Sequence, residues 1–300
     1  MPAPESARGP VHVIGASGRS GSAVCRDLLA DGVGVVPVVR HAGRWTATGL
    51  AVEPRMADLT DPVALRAALS GATRIVCCAH ARHVRAVLIS SAQQARTVFL
   101  GSTRKFSRWP DAHGDGVRAG EAAFLASGRP GVMLHPTMIY GAQGEDNVQR
   151  LAALLRRLPA VPLPGGGRAL VQPIHQDDVT RSIRAALRQN WAGPEALVIA
   201  GPAPLPYADF VRAVAFAAGL KRPRIIPVPA AALQLAAIIT RFVPGLPTIH
   251  PQEVRRLLED KAFDTLPMLT KLGVNPVALH NGLATLFTPN TPEQSSPSQA

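Results

Sequence analysis

Through its first half the chain alternates short β-branched runs with Ala-, Leu- and Arg-rich runs of helical length. Strand, helix and strand recur at about 25–30 residues, the size of a βαβ unit, and this rhythm specifies a doubly wound α/β fold around a parallel sheet. Strands are expected at Val11–Ile14, Val33–Val39, Ala51–Pro54, Arg74–Cys78, Thr97–Leu100 and Gly131–Leu134, with helices at Ser20–Ala30, Pro62–Ser70, Val84–Gln94 and Gly116–Ser127. After Gly141 the rhythm changes. A helix over Asn147–Leu158 leads into the Pro/Gly-rich PAVPLPGGGRA, then a strand-like ALVQPIH and a helix from Asp178 to Gln189, and the rest reads as mostly helical. The expected organisation is a core over 10–145 whose sheet is completed by parts of 168–200, a smaller substrate lobe over 146–287, and a disordered tail over 288–300 without apolar periodicity.

Composition narrows the function classes. With 47% hydrophobic and 17% charged residues, the 300-residue chain is too apolar to be disordered. A formal charge of +12 would suit phosphate-rich partners. The positive charge is nearly all Arg, however, a profile that compositional bias also produces, and no block of like charges stands out. With aromatic residues at 4% there is no stacking platform, so no nucleic-acid partner is expected. Cys25, Cys77 and Cys78 form no even framework, and neighbours in a strand point to opposite faces, which fits a reducing cytoplasm. The opening MPAPESARGP has no apolar core, so it does not read as a secretory signal. The most apolar stretch, Val228 to Val243, is broken by Gln234 and Arg241 and is shorter than the roughly 20 residues of a bilayer span. It reads as a buried helix, with an interfacial membrane helix as the alternative.

The strongest local motif is HVIGASGRSGSAVCRDLLADG, where a strand runs directly into Gly15, Gly18 and Gly21 and then into a helix. Glycines there permit a tight turn, a close approach of backbone to a pyrophosphate, and helix-to-strand packing, while the helix start offers N–H groups to the anion. A dinucleotide site is therefore expected, with Ser17 and Arg19 in the same loop. The end of the second strand reads VVPVVRHAGR. Arg40, with Arg44 nearby, stands where a carboxylate would favour NAD, so NADP is the expected cofactor and NAD the alternative. Asp58 is placed to approach an adenine amino group or to serve a turn, and Asp61 before Pro62 reads as a helix cap. The cofactor surface should extend over Ala79 and His80 at the fourth strand and Pro136 at the sixth.

With these residues in view, the chain resembles an extended or atypical short-chain dehydrogenase/reductase, the Rossmann group that includes nucleotide-sugar epimerases and dehydratases and NmrA-like redox sensors. The resemblance runs from about Val11 to Leu286. GASGRSG and ADLTD match the cofactor half. LHPTMIYG resembles the family's L-R-P-x-x-x-Y-G with His135 in place of Arg, QPIHQDDVTRSI resembles its H-x-D-D-V segment, and LLEDKAFDTLPMLTKLGVNP resembles its C-terminal ending. The resemblance implies a catalytic hydroxyl after strand five, which aligns with Thr103 beside Ser102, and a Tyr-x-x-x-Lys pair. That pair is missing. Aligning Glu121 with the family's downstream acid puts His113 at the Tyr position and Val117 at the Lys position, and neither Tyr140 nor Tyr207 is followed by Lys at the required spacing.

Since a phenol of pKa near 10 needs a close cation to act as a base, the usual dyad cannot form. His113, Lys105 and Tyr140 are the conceivable substitutes. Each also has a plain structural reading: His113 in a loop, Lys105 solvated, Tyr140 packed beside the site. His80, His83 and His175 have no zinc-like spacing, so no metal is expected, and His175 with Asp177 and Asp178 reads as a strand-to-helix junction capped by an acid. Gly165–Gly167 reads as a flexible turn between lobes. Two functions follow as expectations. One is an NADP-linked oxidoreductase or nucleotide-sugar epimerase/dehydratase-like enzyme acting on a small molecule, and the resemblance implies that helices beside strands four and five can pair two copies in a homodimer. The other is a catalytically silent NADP-binding redox sensor or accessory subunit, like NmrA-like regulators or the short-chain-like accessory subunit of respiratory complex I.

Overall fold

Runs rich in Val, Ile and Leu that are apolar on both faces can only be buried on both faces, and the chain places them in a sheet covered by helices on each side. A computed structural model describes residues 9–141, 147–158, 160–233 and 255–287. The first lobe runs β1 (Val11–Ile14), α1 (Arg19–Ala30), β2 (Val35–Val39), α2 (Ala42–Thr46), β3 (Arg55–Met56), α3 (Pro62–Ala68), β4 (Arg74–Cys77), α4 (Val84–Ser90), β5 (Arg96–Leu100), α5 (Ala112–Ala126) and β6 (Gly131–Pro136). The chain continues through β7 (Ile139–Tyr140), α6 (Asn147–Arg157), β8 (Ala160–Pro164), β9 (Leu170–Val171), β10 (Ile174–His175), α7 (Gln176–Arg188), β11 (Pro194–Ile199), β12 (Leu205–Pro206), α8 (Tyr207–Ala217), β13 (Arg224–Val228), α9 (Leu266–Leu272) and α10 (Leu279–Phe287). Seven strands form one parallel sheet in the order β11-β6-β5-β4-β1-β2-β3. Because the order reverses beside β1, the strand ends diverge there and leave a crevice, the place where open α/β sheets bind ligands.

The pleat sorts residues to two cores. Val11, Val13 and Val76 face α1 and α7, while Ile14, Ile75 and Cys77 face α3, α4 and α5. Cys77 and Cys78 pack against opposite cores, as neighbours in a strand must, and burial pushes the Cys25 and Cys77 thiols up to about 12, which makes them poor nucleophiles. A third core, built from Val148, Ala152, Val161, Leu163, Val211 and Leu283 among others, holds α6, α8, β8, β9 and α10 together as the second lobe.

Several local expectations are corrected. Strand three lies at Arg55–Met56, not Ala51–Pro54, because its two residues pair only with the end of β2. The helix after strand five begins at Ala112, where the Asp111 side chain accepts from Gly114 N–H at 2.7 Å, so His113 belongs to its first turn and not to a loop. His175, not an acid, caps α7 by accepting from Asp177 N–H, while Asp177 lies in the first turn and Asp178 is fully buried, accepting from Val277 N–H at 2.9 Å. Gly165–Gly167 all have positive φ, between 58° and 71°, and join β8 to β9 inside the second lobe, not between the lobes. Among the described residues after α7, the strands β11, β12 and β13 stand beside the helices α8, α9 and α10. Asp61 caps α3, accepting from Val63 and Ala64 N–H. Most of the Val228–Val243 stretch and the tail lie outside the described residues.

His12, in the middle of β1, is 2% exposed, and neither imidazole nitrogen has a hydrogen-bond partner. Burial, reinforced by Arg55, lowers its pKa from 6.5 to about 4. The unfolded chain therefore binds a proton between pH 6.5 and 4 that the folded one refuses. The protein should be fully stable with respect to this group above pH 6.5 and lose stability as pH falls towards 4, by up to about 1.4 kcal/mol per pH unit. Urea denaturation of His12→Leu across that window should show a shallower slope than the native chain; an equal slope would remove His12 as a cause.

Candidate functional site

The crevice at β1 is shaped by glycines whose side chains would occupy it. Gly15 has φ +74°, and a Cβ there would stand 3.0 Å from the backbone nitrogen of Ala79. Gly18 N–H donates to Gly15 O at 2.9 Å, and Gly18 caps α1 with extended backbone and no side-chain cap. A methyl on Gly21 would overlap the carbonyl oxygen of Gly15, so only glycine lets α1 seat on the turn. The first turn of a 12-residue helix thus points its N–H groups and positive dipole end at the crevice.

Around it lies a cleft of about 560 Å³. The structure brings Gly15, Ser17, Arg40, Arg44, Asp58, Ala79 and His80 together on its walls. Gly18, Arg19, Gly21 and Pro136 do not line it; Gly18 and Gly21 shape the loop from behind. Sequence reasoning missed His41, Arg82 and His83, which add to the same wall. Arg82 and His83 follow β4 at the position where a strand end enters the crevice, which is the signal that could have found them. Asp58 is not poised as a bare acceptor. It accepts from Thr60 N–H at 2.8 Å and Thr60 Oγ1 at 2.7 Å, and these bonds, with Arg40 3.9 Å away, hold its carboxyl below the usual range. The donors, cations and side-chain-free turn fit a dinucleotide diphosphate and ribose.

A second cavity, of about 660 Å³, opens at the ends of β5 and β6 and is closed on its far side by residues 256–263 of the second lobe. Ser102, Thr103 and Thr137 face it from the sheet, and Arg256, Lys261 and Phe263 from the other side. The lobe is clamped there: Glu259, 6% exposed, accepts from Ser107 Oγ at 2.8 Å and Arg108 N–H at 2.7 Å. Arg104 and Arg256 share the carboxylate of Asp111. Thr103 Oγ1 donates to Pro136 O at 3.2 Å. Ser102 Oγ accepts from Arg104 N–H at 3.2 Å, which leaves its own proton to donate into the cavity. Ser102 is therefore at least as well placed as Thr103.

The remaining candidates are separated. His113 packs edge-on against His80, with ring centroids 4.4 Å apart, and lines neither cavity. Burial and then His113 push His80 down to about 4, and burial and then Arg104 lower His113, so both imidazoles are neutral near pH 7. Val117 is 1% exposed within the apolar core. Lys105 is not solvated, contrary to the sequence reading. It pairs with Glu121, whose carboxylate also meets His135 Nε2. His135 Nδ1 accepts from Ser102 N–H at 3.1 Å, so the neutral tautomer carries its proton on Nε2, and burial lowers its pKa to about 4. Tyr140 is 1% exposed in the second lobe's core, with its hydroxyl against Gly282, and burial raises its pKa. It lines neither cavity. Among the described residues no group of three or more His, Cys, Asp or Glu is gathered as metal ligands, and no helix is long and apolar enough to cross a membrane.

Strand order, glycine turn and cleft together have the architecture of a Rossmann fold. Residues 15–108 match the NAD(P)H-binding family model. An uncharacterized protein of Mycobacterium tuberculosis is 27% identical over 220 residues, 72% of this chain, and the chain spans about a quarter (24%) of that relative's length. Among solved structures, the NADPH-dependent quinone oxidoreductase QOR2 of Escherichia coli in complex with NADPH superposes with a TM-score of 0.70 at 20% identity, covering 92% of this chain and 99% of that one. UDP-glucose 4-epimerase of Thermotoga maritima with UDP-glucose gives 0.70 at 16% identity, covering 92% and 96%. The chain shares the Rossmann fold of these structures, and its residues 15–108 are similar to the NAD(P)H-binding family.

Because a methyl at Gly21 would overlap the Gly15 carbonyl, Gly21→Ala must push α1 away from the turn. Titration calorimetry with NADPH should show at least a tenfold loss of affinity, about 1.4 kcal/mol or more; unchanged binding would mean that the turn does not hold the diphosphate.

Proposed function

We propose that the protein is an NADP(H)-linked reductase whose acceptor is a conjugated carbonyl compound, quinones being the leading class, held in the cavity between Ser102–Thr103 and Arg256–Phe263. When bound, the dinucleotide supplies the hydride. The observation that carries this reading is a site with hydroxyls and cations at the strand ends but no tyrosine, since both tyrosines of the chain pack in the second lobe. Reducing an aldehyde or ketone makes an alkoxide whose conjugate acid is about as weak as water, pKa about 15.7, so a strong proton donor is needed. Reducing a quinone makes a phenolate-like anion whose conjugate acid has a pKa of about 10, which nearby cations and hydroxyls stabilise until solvent supplies the proton. Ser102 Oγ donates towards that anion, with Lys261 and the Asp111-paired Arg104 and Arg256 as the cations beside it, although Glu259 and Asp260 line the same cavity. Nucleotide-sugar epimerisation needs proton transfer at a sugar hydroxyl, for which no phenol is at hand. NADP is favoured over NAD by Arg40, Arg44 and Arg82 on the wall of the first cleft. Ile89 on α4 and Leu125 on α5 are exposed where the homodimer would meet.

A second reading, a silent NADP-binding sensor, is favoured by one observation: the helix face that would carry the missing lysine is core-packed at Val117. The experiment that separates the two follows NADPH absorbance with quinones, simple carbonyls and sugar nucleotides. Turnover is expected with quinones and not with sugar nucleotides. Ser102→Ala should lower kcat about tenfold, the scale of one hydrogen bond to a developing charge. Arg40→Ala should weaken NADPH about tenfold or more and leave NADH nearly unchanged. Tight NADPH binding with no turnover on any acceptor would discard the reductase and leave the sensor.

A further inference from the structure

The positive charge is not evenly spread. None of the 20 Asp and Glu falls in 147–176 or 210–252, whereas nine of the 32 Lys and Arg do, so these two segments carry +9 of the formal +12. Neither segment is a block of like charges in the sequence, and the fold brings their described parts together. Compositional bias would raise Arg everywhere and would not strip acids from two segments in particular.

Their described parts meet at one end of the second lobe. The C-terminal turns of α6 and α8 lie side by side there, and β8 and β13 begin there as a parallel pair with Ala160 opposite Arg224. Arg156 and Arg157 close α6, and Lys221, Arg222 and Arg224 follow α8. A groove of about 600 Å³ runs between the two sets, floored by Leu155, Leu220 and Pro223. Large apolar side chains are exposed here too: Leu158, 39% exposed, lines the groove, and Phe216, in the last turn of α8, is 86% exposed. A cationic face without acids, studded with exposed apolar side chains, has the chemistry of an interfacial surface, where cations meet anionic headgroups and apolar groups enter the acyl boundary. A purely polyanionic partner would match the cations and leave Phe216 and Leu158 unexplained.

We propose that this end of the second lobe docks the protein on an anionic lipid bilayer. The surface lies on elements distinct from those lining the dinucleotide cleft and the adjoining cavity, and the proposal does not depend on the reductase reading.

The test is co-sedimentation of the full chain with phosphatidylcholine vesicles with and without phosphatidylglycerol. Binding is expected only with phosphatidylglycerol, and it should weaken as salt screens the headgroups. Removing one Arg near an anionic surface costs about fivefold in partitioning, so Arg156→Gln/Arg222→Gln/Arg224→Gln should lose about a hundredfold. Phe216→Ser should lose about tenfold, the scale of exposing one aromatic side chain. Thermal stabilisation by NADPH serves as the folding control and should be the same in every variant. No sedimentation of the native chain, equal binding to neutral vesicles, or undiminished binding by the triple variant would overturn the proposal. So would binding that ignores Phe216→Ser and is matched by duplex DNA, because the face would then read polyanions and not lipid.

Discussion

The arrangement of the site rests on one steric constraint, the contact of α1 with the turn that follows β1. Gly21 stands over the Gly15 carbonyl with no room for a Cβ, and Gly15 in turn lies against the backbone of Ala79 at the end of β4. Two backbone-to-backbone approaches therefore fix three elements at once. They set the direction of the α1 axis, the width of the crevice between β1 and β4, and the level at which the helix dipole meets a bound anion. The clefts on both sides inherit that geometry, since Ala79 and His80 form the wall between the dinucleotide cleft and the helix that carries His113.

The strand-five end is held differently, by buried charge. Lys105, Glu121 and His135 are 13%, 17% and 1% exposed at their side chains, and a cation and an anion so placed cost several kcal/mol each to desolvate unless they are paired. Here they are paired, and Arg118 donates to the Lys105 carbonyl at 2.6 Å, tying the same loop to α5. The network gives little net stability but fixes one conformation of the Ser102–Phe106 turn, because any other leaves Glu121 or Lys105 buried alone. His135 completes it by accepting from Ser102 N–H. An arginine brings donors only, and this position needs an acceptor facing Ser102 and a donor facing Glu121.

Much of the fold was legible because its signals are local. The β-branched runs, the glycine turn and the Asp61–Pro62 helix start each depend on a few neighbouring residues, and the strand and helix positions in the first lobe follow them closely. The failures are tertiary. Nothing near Ala112 in sequence marks a helix start except Asp111, and Gly114 and Asp115 read as loop until the cap is seen. Lys105 looks solvated until Glu121, 16 residues on, is brought beneath it. The walls of the cleft at β1 were readable at Gly15, Arg40 and Asp58, whereas His41, Arg82 and His83 join it only through the sheet order. The closing strap at 256–263 was invisible as a wall because its hold on the strand-five loop, through Glu259 to Ser107 and Arg108, spans about 150 residues of chain.

The same geometry explains why the missing dyad is not a matter of two residue identities. In this fold α5 crosses the 81–83 turn so closely that a methyl on Gly120 would overlap the Ala81 carbonyl, and the helix is held against the sheet at that height. The face that carries His113 is thereby pressed on His80, and one turn later Val117 enters the apolar core beside Phe99 and Phe124. A lysine at 117 would have to leave that core to reach a nicotinamide ribose, with the helix shifting or the charge lost to desolvation. The chain has instead settled its nearest cation, Lys105, on Glu121, and its polar groups at the strand ends are hydroxyls and arginines that stabilise negative charge without delivering a proton of their own. The packing of α5, more than the identity of any one side chain, is what keeps a cation away from position 117.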